Sequence, residues 1–517
     1  MPTKRQILQG SVVVGALSLV GSVTGILVET AIAAELGMSA RSDVFYVAYT
    51  LPYVITSLLA ATGQFSLVPF FASIEASGKQ EDLARGFSYA VNVGALGLTA
   101  LSALGAATAP WLMRGIAPGL TPVQLGMATE LARWLFFVIV PAGVAEVLRS
   151  FLLSRRSFAL PSAAGFFRNM GVIVGVVLGF HRFGYYSLVL GYFAGHLLQF
   201  AVLAAKIAVS FPVRYSPVVR GGGEPFRNLR GAGAAQLGVA VGWQGMVVVE
   251  RIIASFLPAG ALTALNWGLK IMSTMAELVA GSIGTSALPG LSRAAARKEE
   301  AEQRRIFHGI LELALVLVAP LVVFCLELPR PIIRLIFQRG SFTPEATSQM
   351  ASVFFFYSLS LLLYAALRVL AFQLFARQEG TNYLRISILQ YALTVGFDLL
   401  YVGVLRWGPK GIPLAMVTSL ALTVTWAYRK NLCDLRSMVD RGLRVFFAKN
   451  LLAAGLAAAS VAGLEFFFPR PATGLGNFSY LVATCGFGSV VFFAALFALK
   501  AISLSQFWAV GGDSNQA

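Results

Sequence analysis

The chain is poor in charge. Of its 517 residues only 12% are charged, about half the share of an ordinary soluble domain, so in water it could not clothe itself in polar surface. Cysteine and histidine are scarcer still, at three each. Cys325, Cys433 and Cys485 have neither disulfide nor metal-ligand spacing and read as small apolar packing residues. His181, His196 and His308 are dispersed, and no glycine-rich loop ends in Lys-Ser/Thr. These absences argue against a metalloenzyme, a nucleotide-binding enzyme and catalysis in general.

What is abundant is apolar sequence: 57% hydrophobic residues and a mean hydropathy of +0.75. Stretches of about 20 residues, enough to cross a ~30 Å hydrocarbon core, recur along the whole length. They number about fourteen, from Leu8–Leu36 to Phe478–Ile502. The expected fold is an all-α polytopic membrane protein.

The formal net charge of +17 is a topology signal. With Lys4 and Arg5 inside, the basic residues gather in alternate loops: Arg155 and Arg156; Lys206, Arg214, Arg220, Arg227 and Arg230; Arg293, Arg297, Lys298, Arg304 and Arg305; Arg429, Lys430, Arg436, Arg441 and Arg444. Both termini are then expected on the cytoplasmic side. Arg330, Arg334 and Arg339 are exceptions in a nominally external loop. No aromatic-interleaved basic face suggests nucleic acid; attraction to anionic lipid fits the charge better. Lys4, Arg5 and Ala31-Ile32-Ala33 mimic a signal peptide, but the apolar run is too long and Glu29 precedes the supposed cleavage site. An uncleaved first helix is expected.

The chain repeats itself after about 220 residues, a period that marks duplicated architecture. Leu67-Val68-Pro69, read as a helix end, runs into Ser73–Asp82 as Ala287-Leu288-Pro289 runs into Ser292–Glu300. Thr121-Pro122 and Thr343-Pro344 open corresponding helices, which close on Ser154-Arg155-Arg156 and Ala376-Arg377-Gln378. About six helices separate equivalent positions, so the repeat is parallel. The expected organisation is two six-helix lobes, 1–215 and 216–435, followed by a helix pair and tail at 436–517. Rocking between such lobes gives alternating access.

Charges within apolar helices are costly and call for a cavity or a partner. Lys270, near the middle of its helix, suits an anionic ligand. Asp43 begins a helix, where it either caps that helix or faces a cavity. Glu250 and Asp398, with Thr394 one turn before Asp398, offer hard oxygen ligands to a small cation. Alternatively, Glu250 neutralises Lys270 or an arginine. Arg149, Arg168 and Arg385 lie near helix ends, where snorkelling towards the headgroups competes evenly with facing a cavity or partner. Pro52 and Gly63 mark bends.

Gly25-Ile26-Leu27-Val28-Glu29-Thr30-Ala31-Ile32-Ala33, Gly37, Asp43-Val44-Phe45-Tyr46-Val47-Ala48-Tyr49, Leu51-Pro52 and Val68-Pro69 together resemble the MurJ/MviN family of lipid II flippases. This family lies within the superfamily of multidrug, oligosaccharidyl-lipid and polysaccharide exporters. Ala254-Ser255-Phe256-Leu257, Leu265-Asn266-Trp267, Lys270, Gly284-Thr285, Leu288–Ser292 and Gln338–Thr343 continue the likeness, which spans essentially the whole chain.

The resemblance implies a flippase of the bacterial inner membrane that moves a polyprenyl-pyrophosphate-linked glycan, with basic cavity residues meeting the pyrophosphate. Lys270 takes the place of the family arginine on the eighth helix, Leu269 that of its acidic neighbour, and Asp43 is retained. The family's arginines on the first two helices fall on Ser22, Val28 and Thr56. Lys270, Asp43, Arg251 and Glu29 are the candidate substrate-binding residues. Glu250, Asp398, Thr394 and Thr418 correspond to the sodium ligands of some members. No other cofactor is expected; coupling to sodium or to the membrane potential is. Expected partners are the glycan lipid, membrane lipids and envelope-biosynthesis proteins. The alternatives are a cation-coupled exporter of amphipathic molecules and a transport-inactive scaffold in envelope assembly.

Overall fold

The computed structural model describes residues 4–76, 80–211, 213, 215–219, 234–277, 279, 282–468, 471 and 473–501. Arg214, Arg220, Arg227 and Arg230 of the basic loop lie outside them, as does the Cys433 side chain.

Among these residues the secondary structure is helical, without strands. The helices of the first half are α1 (Lys4–Leu36), α2 (Ala40–Thr62), α3 (Val68–Ala76), α4 (Gln80–Ile116), α5 (Pro122–Leu135), α6 (Ile139–Ser154), α7 (Ala159–Phe183) and α8 (Tyr186–Ser210). Then follow α9 (Ala234–Ala254), α10 (Ala261–Ala276), α11 (Ser282–Ala296), α12 (Glu300–Glu327), α13 (Pro329–Phe337), α14 (Pro344–Ala376) and α15 (Gly380–Asp398). The last are α16 (Gly411–Arg429), α17 (Leu435–Met438), α18 (Arg441–Phe467) and α19 (Gly474–Ala498).

Twelve spans among the described residues are long and apolar enough to cross a membrane. The other two expected spans fall on α9 and on α10 with α11. Large side chains such as Leu104, Leu178 and Leu475 are more than 60% exposed along these helices, as a lipid-facing surface requires and a water-facing one would not tolerate in such number.

Local chemistry explains several boundaries. Thr121 caps α5 through a reciprocal pair with Gln124, and Pro122 needs no N–H at the first position. Thr343 Oγ1 accepts the Ala346 N–H at the start of α14, so the repeated Thr-Pro pair opens both helices. The repeated ends match as well: Arg155, Arg156 and Ser157 donate to Phe151, Leu153 and Leu152, and Arg377, Gln378 and Glu379 donate to Gln373, Phe375 and Leu374 in the same pattern. Arg156 and Gln378 both adopt positive φ.

One expectation needs correction. Leu67-Val68-Pro69 does not end a helix. Val68 and Pro69 begin α3, joined to α2 by a π-helical turn over Gly63–Leu67, and Ala287-Leu288-Pro289 lies inside α11. The π turn breaks the α hydrogen-bond ladder just before Pro69, which lets that proline sit within a continuous span. Helix α1 runs unbroken through Ala31-Ile32-Ala33, with Ile32 and Ala33 fully buried. Arg330 and Arg334 belong to the short amphipathic α13, whose Ile333 and Phe337 are buried. Such an arginine-bearing helix suits the membrane interface, which accounts for basic residues there.

Packing divides the chain into two compact units. The first contains Met1–Lys270, Arg339–Ala346 and Ser387–Ile412; the second contains Ile271–Gln338, Thr347–Ile386 and Pro413–Ala517. In the second, Leu315, Phe324, Ala453, Val461, Leu481 and Phe492 form one apolar core. Arg377 there pairs with Asp434 at 2.9 Å, and Arg304 with Asp440 at 2.8 Å.

In the first unit α7 and α8 cross almost backbone to backbone. A Cβ on Gly171 would fall 2.5 Å from the Gly195 Cα, and one on Gly175 would fall 2.4 Å from the Gly191 Cα. Glycines four apart build this close crossing of membrane helices. It brings the polar residues of both helices to one wall.

Candidate functional site

That wall borders a cavity of about 310 Å³ within the first unit. Helix α1 contributes Gly25, Val28 and Glu29; α2 contributes Tyr49, Tyr53 and Thr56; α7 and α8 contribute Arg168, Asn169, Tyr192 and His196; α10 contributes Lys270. Glu146 of α6 completes the charged lining. The two acids are occupied by protein donors. Glu29 Oε2 accepts from the Tyr46 hydroxyl at 2.5 Å and from Trp267 Nε1 at 3.1 Å, and Glu146 pairs with Arg149 at 3.2 Å.

Asn169 anchors Arg168. Its Nδ2 is held by the Gly21 carbonyl at 2.9 Å and Thr24 Oγ1 at 3.1 Å. Its Oδ1 accepts from Arg168 Nε at 3.2 Å and Nη2 at 3.1 Å. A Cβ on Gly25 would stand 3.6 Å from Asn169 Nδ2 and 3.7 Å from Lys270 Nζ, so the bare glycine leaves open the space where the amide and the ammonium approach each other. Beside them Tyr49 and Tyr192 pack with ring centroids 4.4 Å apart, and Tyr53 follows at 6.0 Å from Tyr49. Two cations lining one cavity with an aromatic wall can take an anionic headgroup and stack a sugar ring.

Of the four candidate substrate-binding residues, Lys270 and Glu29 line this cavity and Asp43 and Arg251 do not. Asp43 is 5% exposed and is not the cap of its own helix: Ser39 caps α2, in a reciprocal pair with Ser42. The Asp43 carboxylate instead accepts from the Gly260 N–H at 2.6 Å, the Thr263 N–H at 2.8 Å and Thr263 Oγ1 at 2.6 Å, so it caps α10 from across the fold. An anion at a helix N-terminus also meets the positive end of its dipole. Arg251 Nη2 donates to Asn266 Oδ1.

The residues suggested for a cation lie elsewhere. Asp398, at the end of α15, is fully buried, and neither of its carboxylate oxygens has a hydrogen-bond partner among the described residues. Glu250 on α9 is near enough to interact with it electrostatically, which the contact between Trp243 and Tyr391 further down the same two helices makes possible. Thr394 Oγ1 donates to the Gln390 carbonyl at 2.9 Å. Thr418 belongs to the second unit, where its Oγ1 donates to the Leu414 carbonyl at 2.5 Å. Among the described residues no group of three or more His, Cys, Asp or Glu is gathered for a metal. A buried carboxylate without donors nevertheless calls for a compensating cation or proton, and oxygen donors suit a small hard cation.

Sequence reasoning missed Asn169, Tyr192 and His196 as site residues and left Arg168 open between the cavity and the headgroups. Arg168 does not snorkel at a helix end: it lies in the third turn of α7 and faces the cavity. The signal that could have found these residues is the spacing of Gly171, Gly175 and Gly179 on α7 and of Gly191 and Gly195 on α8. It marks two helices that must cross closely and so pool their polar side chains.

Residues 32–481 match the family model described as lipid II flippase MurJ. The lipid II flippase MurJ of Burkholderia cenocepacia is 27% identical over 391 residues, 72% of this chain and 74% of the relative. A probable lipid II flippase MurJ of Rhizobium meliloti is also 27% identical, over 95% of this chain and 94% of the relative. Among solved structures, a lipid II flippase MurJ in an inward closed conformation superposes with a TM-score of 0.76 at 16% identity, covering 94% of this chain and 99% of that one. An inward-facing MATE family multidrug transporter gives 0.68 at 12% identity, over 82% and 95%. The chain is thus a multi-pass membrane protein that belongs to the MurJ family of lipid II flippases.

Proposed function

We propose that this protein translocates a polyprenyl-pyrophosphate-linked glycan precursor of the lipid II kind across the bacterial inner membrane, without covalent catalysis. The observation that carries the reading is Lys270: in a chain of this family, it places a cation in the wall of a polar cavity among apolar helices. A cation lining such a cavity can meet the phosphates of a lipid headgroup. The exporter and scaffold alternatives have no comparable observation in their favour.

Movement follows alternating access between the halves 1–215 and 216–435, with the pair at 436–517 appended and both termini in the cytoplasm. Asp43 has a conformational part in this. Its bonds to Gly260 and Thr263 tie the first turn of α2 to the start of α10, one from each half, and rocking must break them. Arg251 holds Asn266 and so steadies the same end of α10. Glu250, Asp398 and Thr394 are the residues that would hold a sodium ion, which would supply charge compensation and a link to the ion gradient or membrane potential. Besides lipids, envelope-assembly proteins are natural partners of such an activity.

Complementation tests the proposal. In cells depleted of their own lipid II flippase, the wild-type gene is expected to restore growth and Lys270→Ala to fail at equal membrane abundance. Failure of the wild type would remove lipid II as cargo, and full rescue by Lys270→Ala would remove the role of the lysine.

A further inference from the structure

Arg168 is the one cation of the cavity wall that the family resemblance leaves without a role. Its guanidinium has five N–H donors, yet among the described residues its hydrogen bonds go only to Asn169 Oδ1 and no carboxylate lies within ion-pair distance of it. A half-buried arginine in an apolar helix with most of its donors unspent is costly unless something anionic completes it. A second observation points the same way. His196 also lines the cavity, is 6% exposed, and its Nδ1 has no hydrogen-bond partner among the described residues. It is close enough to Arg168 to feel its charge. Val28 and Thr56, which stand where the family carries arginines, line the same space and bring no charge.

We propose that Arg168, positioned by Asn169 and assisted by His196 and Lys270, is the phosphate-binding residue of this cavity and replaces the arginines absent from α1 and α2. The inference rests on the flippase reading and adds that the cationic contact has moved from α1 and α2 to α7. Asn169 is a positioning residue: tied to Gly21 and Thr24, it turns its oxygen to Arg168 and fixes the guanidinium plane. That plane can present a pair of parallel N–H groups to a phosphate, which a lysine ammonium cannot. Tyr49, Tyr53 and Tyr192 then lie where the first sugar of the headgroup would stack.

The test uses the full-length protein in detergent, titrated with farnesyl pyrophosphate, with farnesol as the phosphate-free control and with sodium pyrophosphate alone. The wild type is expected to prefer farnesyl pyrophosphate to farnesol by at least about tenfold. Arg168→Gln is expected to lose that preference, and Thr56→Arg added to it to restore most of it. Retention of the preference by Arg168→Gln overturns the assignment of Arg168 and leaves the flippase reading standing. A wild type with no preference overturns both. Free pyrophosphate binding as tightly as the farnesyl compound overturns the lipid source of the phosphate. A readout that needs no variant guards against misfolding: phenylglyoxal modification of Arg168 in the wild type is expected to slow severalfold with farnesyl pyrophosphate and not with farnesol. Absence of protection overturns the proposal.

Discussion

Asp43 and Asp398 are both buried aspartates of the first packing unit, and their surroundings are opposite. Asp43 accepts three hydrogen bonds from Gly260 and Thr263; neither oxygen of Asp398 has a donor among the described residues. The first is complete as built and holds two helices together. The second is incomplete and waits on a cation or a proton. Burial alone, equal for the two, does not separate a structural acid from a functional one; the count of donors does.

The largest effect is expected at Asp43. Asp43→Ala strands two buried amides at about 1–3 kcal/mol each, while the Thr263 hydroxyl keeps Ser42 Oγ at 2.9 Å, so thermal unfolding should reveal a loss of roughly 2–6 kcal/mol. An unchanged melting temperature would place α10's cap elsewhere. Asp398→Asn should cost far less. In potassium buffer a buried carboxyl without donors is neutral as the acid, so exchange for a neutral amide is expected to move stability by no more than about 1 kcal/mol. If the acid pair holds sodium, replacing potassium by sodium should raise the wild-type melting temperature, by about 2.7 kcal/mol at a hundredfold excess over the dissociation constant, and leave the variant unmoved. An equal response of both proteins would sink the cation site.

The smallest effect belongs to a third aspartate, Asp440, which precedes α18 and lies outside the membrane spans. The Leu443 N–H that it accepts holds its carboxyl below the usual carboxylate range, with help from His308 and Arg304. A depressed folded pKa contributes stability that is present above the unfolded value of 3.8 and fades as pH falls through the folded value. Asp440→Asn keeps a capping oxygen, so at neutral pH it should cost only about 0.5 kcal/mol. Its stability should also decline less steeply than the wild type's below pH 4. Identical acid limbs in the two proteins would contradict this.

The repeat was readable because helix boundaries are set by local chemistry: Thr-Pro opens α5 and α14, and matching hydrogen bonds close α6 and α14. Lys270 was readable because a lone ammonium in an apolar run is conspicuous at any resolution of the fold. Asp43 was half readable. A carboxylate at a helix start announces a cap, but whose helix it caps depends on a residue more than two hundred positions away. Arg168 and His196 were not readable from their own neighbourhoods. Their meaning comes from the α7–α8 crossing, a tertiary fact that the glycine spacing signals and that single-residue reasoning passes over.

The π-helical turn at Gly63–Leu67 has a consequence of phase. A π turn holds one residue more than the α turn it replaces, and each α-helical residue advances the helix by about 100°. Deleting one residue from this segment would therefore restore an α turn and leave the long Ala40–Glu75 span continuous. Phe70, Phe71 and Ile74 in its buried core would keep the faces they present. The extra residue is absorbed within one turn, so the end of this span that faces the cavity and the end packed into the core stay in phase despite a residue spacing that a plain α-helix would not allow.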